Sequence, residues 1–154
     1  MNKIKATKEM RTVFLSEVYG EAAFKSAFTL SSGDKKRKAG LLWQLESQTK
    51  QCVAEYYESE NIGLPLSVLS SFKGKIIGAI FPFFPWRLVL NIILFETKGY
   101  FILFERLESQ ADEKHKAFFK YLVDHEIAVR VFAQQELDRN PEAAEQAIIT
   151  LLKT

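Results

Sequence analysis

The sequence predicts an all-α protein with four long helices, a long crossover between the second and third helices, and a short C-terminal helix. Apolar residues recur every three or four positions along most of the chain, and no stretch alternates as a β-strand does. The 154 residues include thirteen phenylalanines but only seven glycines and four prolines, which favours long helices over strands and turns. This length suits one domain, and we expect a single four-helix bundle over residues 1–154.

The first two helices are predicted over residues 8–29 and 36–58. The apolar face of the first consists of Val13, Phe14, Val18, Phe24 and Phe28, and that of the second of Ala39, Leu42, Trp43, Val53 and Tyr57. Between them, the LSSGD segment at 30–34 breaks the pattern with glycine and small polar residues. Asn61, Gly63 and Pro65 mark the turn that follows the second helix.

An apolar connector at 66–81 is predicted to be a short helix that crosses the bundle from one end to the other. Two prolines in the FPFFPW segment at 81–86 break it, and the third helix follows over residues 85–107. Ser109 and Asp112 resemble a capping box that opens the fourth helix, which ends near Asp138. Asn140 and Pro141 are typical of a helix start and predict a short helix at 141–152.

Charge and cysteine content exclude several classes of function. The net charge of +2 is too small to indicate nucleic-acid binding, and we expect no nucleic-acid partner. The single cysteine, Cys52, excludes an internal disulfide and a cysteine-based zinc or iron–sulfur site. The first twelve residues are polar and lack the apolar core of a signal peptide, so we expect a cytoplasmic protein.

Residues 74–95 form the most hydrophobic stretch and leave three interpretations open. The stretch approaches the length of a membrane-spanning helix, but Pro82, Pro85, Arg87 and Asn91 interrupt it. It also fits a buried crossover followed by a core helix. The third interpretation is peripheral membrane contact, because aromatic residues at 81–86 beside Arg87 suit a bilayer interface.

Carboxylates interrupt the apolar stripes of all four long helices. They are Glu21, Glu46, Glu96 and Glu126, the last of which is adjacent to His125. A carboxylate that faces a core is unfavourable unless it is paired or binds a metal. Four of them on separate helices, together with a histidine, predict one shared metal site in the centre of the bundle.

The individual positions differ in how firmly they are predicted. Glu17 lies one turn before Glu21 on nearly the same face, and either could point inward. We favour Glu21 because Gly20 and Ala22 leave room beside it. His125 and Glu126 diverge by about 100° on a helix, so only one of them can point straight into the site. Carboxylate and imidazole ligands suit iron or manganese.

Together, these carboxylates and His125 resemble the ferritin-like superfamily of di-iron carboxylate bundles. The resemblance covers residues 8–137 and implies a ferritin-like bundle with the long crossover between helices two and three. It also implies an oxidoreductase that acts with oxygen, or metal oxidation, at two irons bound by Glu and Glu-x-x-His motifs. The chain departs from those motifs at Thr49, where a histidine is expected, and at Leu122, where a glutamate is expected. No catalytic residue is predicted.

Two other functions remain open at this stage. One is a metal-free bundle whose aromatic interior binds a hydrophobic small molecule. The other is a bundle that binds a protein partner through residues 79–86, and an aromatic patch of this kind is common in homo-oligomers. We expect a homo-oligomer, such as a dimer.

Overall fold

The computed structural model describes the backbone of residues 3–153 and the side chains of residues 8–153. Its helices are α1 (Lys3–Leu30), α2 (Gly33–Ser59), α3 (Val68–Ile80), α4 (Trp86–Ser109), α5 (Lys116–Leu137) and α6 (Pro141–Leu152), and a 3₁₀ turn covers Phe81–Phe83. No strand occurs within these described residues. The prediction of an all-α protein is therefore confirmed.

The chain divides into two compact units, residues 1–82 and residues 83–154. In the first unit, α1 packs against both α2 and α3. Apolar side chains of α1 and α2 form its core, among them Val13, Phe14, Phe24, Leu42, Leu45 and Val53, all almost completely buried. These positions follow the helical spacing of the sequence, which explains why the apolar stripes predicted both helices.

Two glycines bring α3 unusually close to α1. A Cβ atom at Gly78 would lie 1.9 Å from the backbone oxygen of Ala23, and one at Gly74 would lie 2.3 Å from that of Tyr19. No side chain of any size fits between the two backbones at these points. The connector predicted at 66–81 contains the helix α3, as expected. The face of α3 that carries Gly74 and Gly78 lies directly against α1.

In the second unit, α5 packs against both α4 and α6. The guanidinium of Arg130 on α5 donates to the Leu94 carbonyl oxygen on α4 at 3.0 Å and to the Thr97 hydroxyl at 3.1 Å. At the start of α4, the Trp86 indole donates to the Glu136 carboxylate at 2.8 Å. These bonds join α4 to α5 in addition to the buried apolar contacts.

Helix ends agree with the sequence signals in one case and not in another. Asn140 caps α6 as predicted, since its side chain accepts from the Ala143 amide and Pro141 occupies the first turn. The predicted capping box is wrong, because Ser109 is the last residue of α4. Asp112 instead accepts from the amide of His115, which precedes α5.

No helix among the described residues is both long enough and apolar enough to cross a membrane.

Candidate functional site

The first unit contains two buried glutamate side chains that are in contact with each other. Glu17 on α1 is 2% exposed and Glu46 on α2 is 7% exposed. One carboxylate oxygen of Glu17 lies within 4.8 Å of one of Glu46, and the two carboxyl groups share a hydrogen bond. Two ionised carboxylates at this distance would repel strongly in a low-dielectric interior, so a proton or a cation has to lie between them.

Gly20 makes this carboxyl pair sterically feasible. A Cβ atom at position 20 would lie 2.4 Å from Oε2 of Glu46 and 2.8 Å from its Cδ. The Glu46 carboxylate therefore occupies the space that any other residue at position 20 would fill. Gly20 was expected to leave room beside Glu21, but the space at position 20 is filled by the carboxylate of Glu46, which pairs with Glu17.

Burial has the largest effect on the pKa of Glu17 in this pair. Loss of solvation raises the pKa of Glu17 from 4.5 to about 8, although hydrogen bonds with Ser16 and Glu46 act in the opposite direction. The hydroxyl of Ser16 lies 3.5 Å from Oε1 of Glu17, which makes its contribution weak. At neutral pH the metal-free pair consequently holds a proton.

Glu21 lies on the same helix but has a different environment. It is partly exposed and forms an ion pair with Lys50, and the Ser47 hydroxyl donates to its Oε1 at 2.9 Å. Of the two glutamates that the sequence analysis considered, Glu17 is therefore the buried one. The spacing along α1 indicates this burial, because Glu17 lies seven residues, or two helical turns, from each of the buried Met10 and Phe24.

Thr49 occupies the position at which a Glu-x-x-His motif would place its histidine. The side chain is completely buried, and its hydroxyl donates to the Leu45 carbonyl oxygen at 3.0 Å. This bond within α2 gives the hydroxyl proton of Thr49 a hydrogen-bond acceptor. Since a neutral hydroxyl is also a weak ligand for iron or manganese, Thr49 does not replace the missing imidazole.

The second unit contains the other buried polar residues that the sequence singled out. His125 and Glu126 on α5 are 2% and 4% exposed. Burial lowers the pKa of His125 from 6.5 to about 4, so its imidazole is neutral at physiological pH. A neutral imidazole retains a nitrogen lone pair that can accept a hydrogen bond or bind a metal.

Glu96 on α4 is exposed rather than inward-facing, which differs from its expected place in the apolar stripe. Neighbouring side chains remove enough solvent from its carboxyl group to raise the pKa. The apolar residues of α4 occur on several faces, and Phe95 beside Glu96 is 82% exposed. The spacing of apolar residues therefore could not define one inward face for this helix.

No protein-family model, curated protein or solved structure matches the chain.

Proposed function

We propose that this protein binds a divalent metal ion, iron or manganese, through the carboxylates of Glu17 and Glu46. The buried contact between these two side chains is the observation on which the proposal rests. A buried carboxyl pair destabilises a fold unless its charge is neutralised. A structural role would be served equally well by a leucine at either position, whereas a cation site requires the carboxylates.

The chemistry of the pair fits a cation that competes with a proton. The pKa of about 8 for Glu17 means that a metal ion must displace a bound proton at neutral pH. The affinity for the metal should therefore increase as the pH rises towards 8. Carboxylate oxygens favour manganese and ferrous iron over softer metals. When bound, such an ion would supply Lewis-acid or redox chemistry.

The remaining ligands are proposed from the sequence alone. We propose that Glu21, Glu96, His125 and Glu126 contribute to metal binding and that the fold is a ferritin-like four-helix bundle, as the resemblance implies. The exposed side chain of Glu96 would have to turn inward before it could bind. The neutral imidazole of His125 supports its part in this set, because only an unprotonated nitrogen binds a metal. The ion pair between Glu21 and Lys50 would have to open before Glu21 could bind.

Metal analysis of purified variants tests the proposal. Protein is purified without chelators, loaded anaerobically with ferrous iron or Mn²⁺, and its bound metal is measured by elemental analysis. We expect the wild type to retain metal, and Glu17→Gln and Glu46→Gln to lose it, because each amide preserves the side-chain shape but removes the charge. Glu58→Gln, an exposed position on α2, is the matched control.

The outcomes separate the two parts of the proposal. Wild-type occupancy that persists in both Glu17→Gln and Glu46→Gln would refute the carboxylate site. Retention of metal by His125→Gln, together with loss by the glutamate variants, would limit the site to Glu17 and Glu46. Oxygen consumption by the iron-loaded wild type would then test the oxidoreductase activity that the ferritin-like resemblance implies.

An open groove between α5 and α6 favours a second candidate function, the binding of a hydrophobic molecule. The groove has a volume of about 570 Å³, and its lining includes Ile127, Val131, Ala147 and Leu151. This volume lies within the usual range of small-molecule sites. An apolar compound that co-purifies with metal-free protein, detected by mass spectrometry of an organic extract, would support this function over metal binding.

A further inference from the structure

The outward face of α3 is apolar, although the opposite face of this helix already packs against α1. Its exposed members are Leu69, Phe72, Ile76 and Ile80, whose exposed fractions are 65%, 59%, 46% and 39%. Residues three or four apart share one face of a helix, so these four form a continuous strip. We call this strip the α3 outer face.

The contact with α1 fixes the orientation of the α3 outer face. At roughly 100° per residue, Gly78 lies about 180° from Leu69 around the helix. Gly74 and Gly78 are buried against the backbone of α1, where no larger residue fits. Rotation of α3 to bury its apolar residues would bring side chains into that contact, so the strip remains directed outward.

Apolar exposure also extends through the first residue of α3 into the segment before the helix. Leu64, Leu66 and Val68 are all exposed, and Leu66 is 89% exposed. Isolated apolar residues are common on protein surfaces, but a contiguous group of this size indicates a surface that binds something. The α3 outer face and these three residues form one such group in the first unit.

Every charged residue in the segment that carries this group, residues 61–95, is positive. Nineteen acidic residues occur in the chain, yet none lies between Glu60 and Glu96. Lys73 and Lys75 are exposed, and at roughly 100° per residue they fall on opposite flanks of the α3 outer face. A partner surface should therefore be apolar at its centre and negatively charged at its margins.

These charges argue against a second copy of the chain as the occupant. In a two-fold interface through the α3 outer face, Lys73 and Lys75 would approach the same lysines of the other copy. The segment contains no carboxylate that could neutralise them. An anionic bilayer offers both an apolar region and negative charge. Apolar side chains enter the acyl boundary while lysine ammonium groups reach the lipid phosphates.

We propose that the α3 outer face binds the surface of an anionic lipid bilayer, with α3 parallel to the membrane plane. Phe72 and Ile76 enter the acyl boundary, and Lys73 and Lys75 contact the headgroup phosphates. Binding of this kind needs neither a membrane-spanning helix nor a bound metal. It is therefore independent of the function proposed for Glu17 and Glu46.

Vesicle co-sedimentation of the full chain tests this proposal. Vesicles of phosphatidylcholine alone are compared with vesicles of phosphatidylcholine and phosphatidylglycerol in equal parts. We expect binding to the anionic vesicles and at least about tenfold weaker binding by Phe72→Ser/Ile76→Ser, because two large apolar side chains are lost from the interface. Leu30→Ser/Ile102→Ser is the matched control, since both of its residues are 57% exposed.

A second pair of variants isolates the electrostatic contribution. We expect Lys73→Gln/Lys75→Gln to weaken anionic binding by about tenfold. Lys98→Gln/Lys153→Gln, which has the same net charge and changes exposed lysines elsewhere, should bind like the wild type. All of these substitutions lie on the surface, and circular dichroism should show unchanged helix content.

Three results would overturn the assignment to a membrane. They are failure of the wild type to bind anionic vesicles, equal binding by Phe72→Ser/Ile76→Ser, and equal loss of binding in the control pairs. Analytical ultracentrifugation adds a further criterion. A wild-type dimer that Phe72→Ser/Ile76→Ser converts to monomer, with no vesicle binding by either, would assign the α3 outer face to a second copy.

Discussion

At the scale of single residues, the buried carboxyl pair shows what spacing can and cannot identify. Glu46 was predicted because apolar residues surround it along the helix, and it is buried. Glu17 and Glu21 share a face because they are four residues apart, and the sequence favoured Glu21, whereas the structure buries Glu17 and leaves Glu21 partly exposed. Contacts with α2 make the distinction, because Glu17 meets Glu46 whereas Glu21 meets Lys50 and Ser47.

Gly20→Ala tests how closely the carboxyl pair depends on the space at position 20. The new Cβ would lie 2.4 Å from Oε2 of Glu46, and the flexible Glu46 side chain must move away from Glu17. We expect metal affinity, measured by titration of apo-protein with Mn²⁺, to fall by at least about tenfold. Thermal stability should change little, because the helix propensity that alanine gains over glycine, about 1 kcal/mol, offsets the cost of displacing the Glu46 carboxylate.

Gly99→Ala on α4 is the control for this substitution. Apart from the chain neighbours and the backbone of α4 itself, no atom of the described residues lies within 4 Å of its added Cβ, so only the helix propensity changes. We expect metal affinity to stay at the wild-type value in this variant. Wild-type affinity in Gly20→Ala as well would show that the position of the Glu46 carboxylate does not govern binding.

At the scale of helices, the sequence predicted most elements but not every boundary or face. The helix at 141–152 was predicted with its observed limits, because Asn140 and Pro141 act locally on the backbone. The start of α5 was misplaced, since Ser109 and Asp112 resemble a capping box in sequence while α4 in fact continues through Ser109. Sequence signals of this type favour a cap but do not decide where the preceding helix ends.

The contact between α1 and α3 leads to a prediction at this scale. Gly78→Ala would place a Cβ 1.9 Å from the backbone oxygen of Ala23, and a backbone atom cannot move aside as a side chain can. The helices must separate, which we expect to cost about 1–3 kcal/mol in the free energy of unfolding. Chemical denaturation measures this change.

Gly99→Ala again provides the comparison, with an expected gain of roughly 0.5–1 kcal/mol from reduced backbone entropy of the unfolded chain. The same chemical change should thus have opposite signs at the two positions. Equal stabilisation in both variants would contradict the close packing of α3 on α1 and, with it, the fixed direction of the α3 outer face.

At the scale of the whole molecule, periodicity predicted the helical class more readily than the assembly of the helices. Apolar spacing shows which face of a helix is covered, but it does not show which helix covers it. The connector at 66–81 is an example, because its glycines determine its packing on α1 and this depends on backbone approach rather than apolar periodicity. The single ferritin-like domain therefore stays a prediction, while the chain shows two compact units.

Glu17 in the first unit and His125 in the second are buried groups whose shifted pKa values make stability depend on pH, and the two act in opposite directions. Glu17 keeps its proton in the folded protein up to about pH 8 but loses it near pH 4.5 when unfolded, so stability falls as pH rises between these values. His125 gains a proton near pH 6.5 when unfolded but only near pH 4 when folded. Stability therefore also falls as pH decreases from about 6.5 towards 4.

The metal-free protein should accordingly show its steepest loss of stability between pH 6.5 and 8, because His125 opposes the effect of Glu17 only below this range. The slope should approach about 1.4 kcal/mol per pH unit, which is the linkage of one proton. Below pH 6.5 the opposing effect of His125 should flatten the profile.

We expect Glu17→Gln, whose amide resembles the protonated carboxyl, to abolish the alkaline decline in thermal unfolding measured with a chelator present. Glu58→Gln should retain the wild-type profile, because this exposed side chain is not part of the buried pair. An alkaline decline that persists unchanged in Glu17→Gln would mean that the proton is held elsewhere, and the carboxyl pair would then no longer explain the competition between proton and metal.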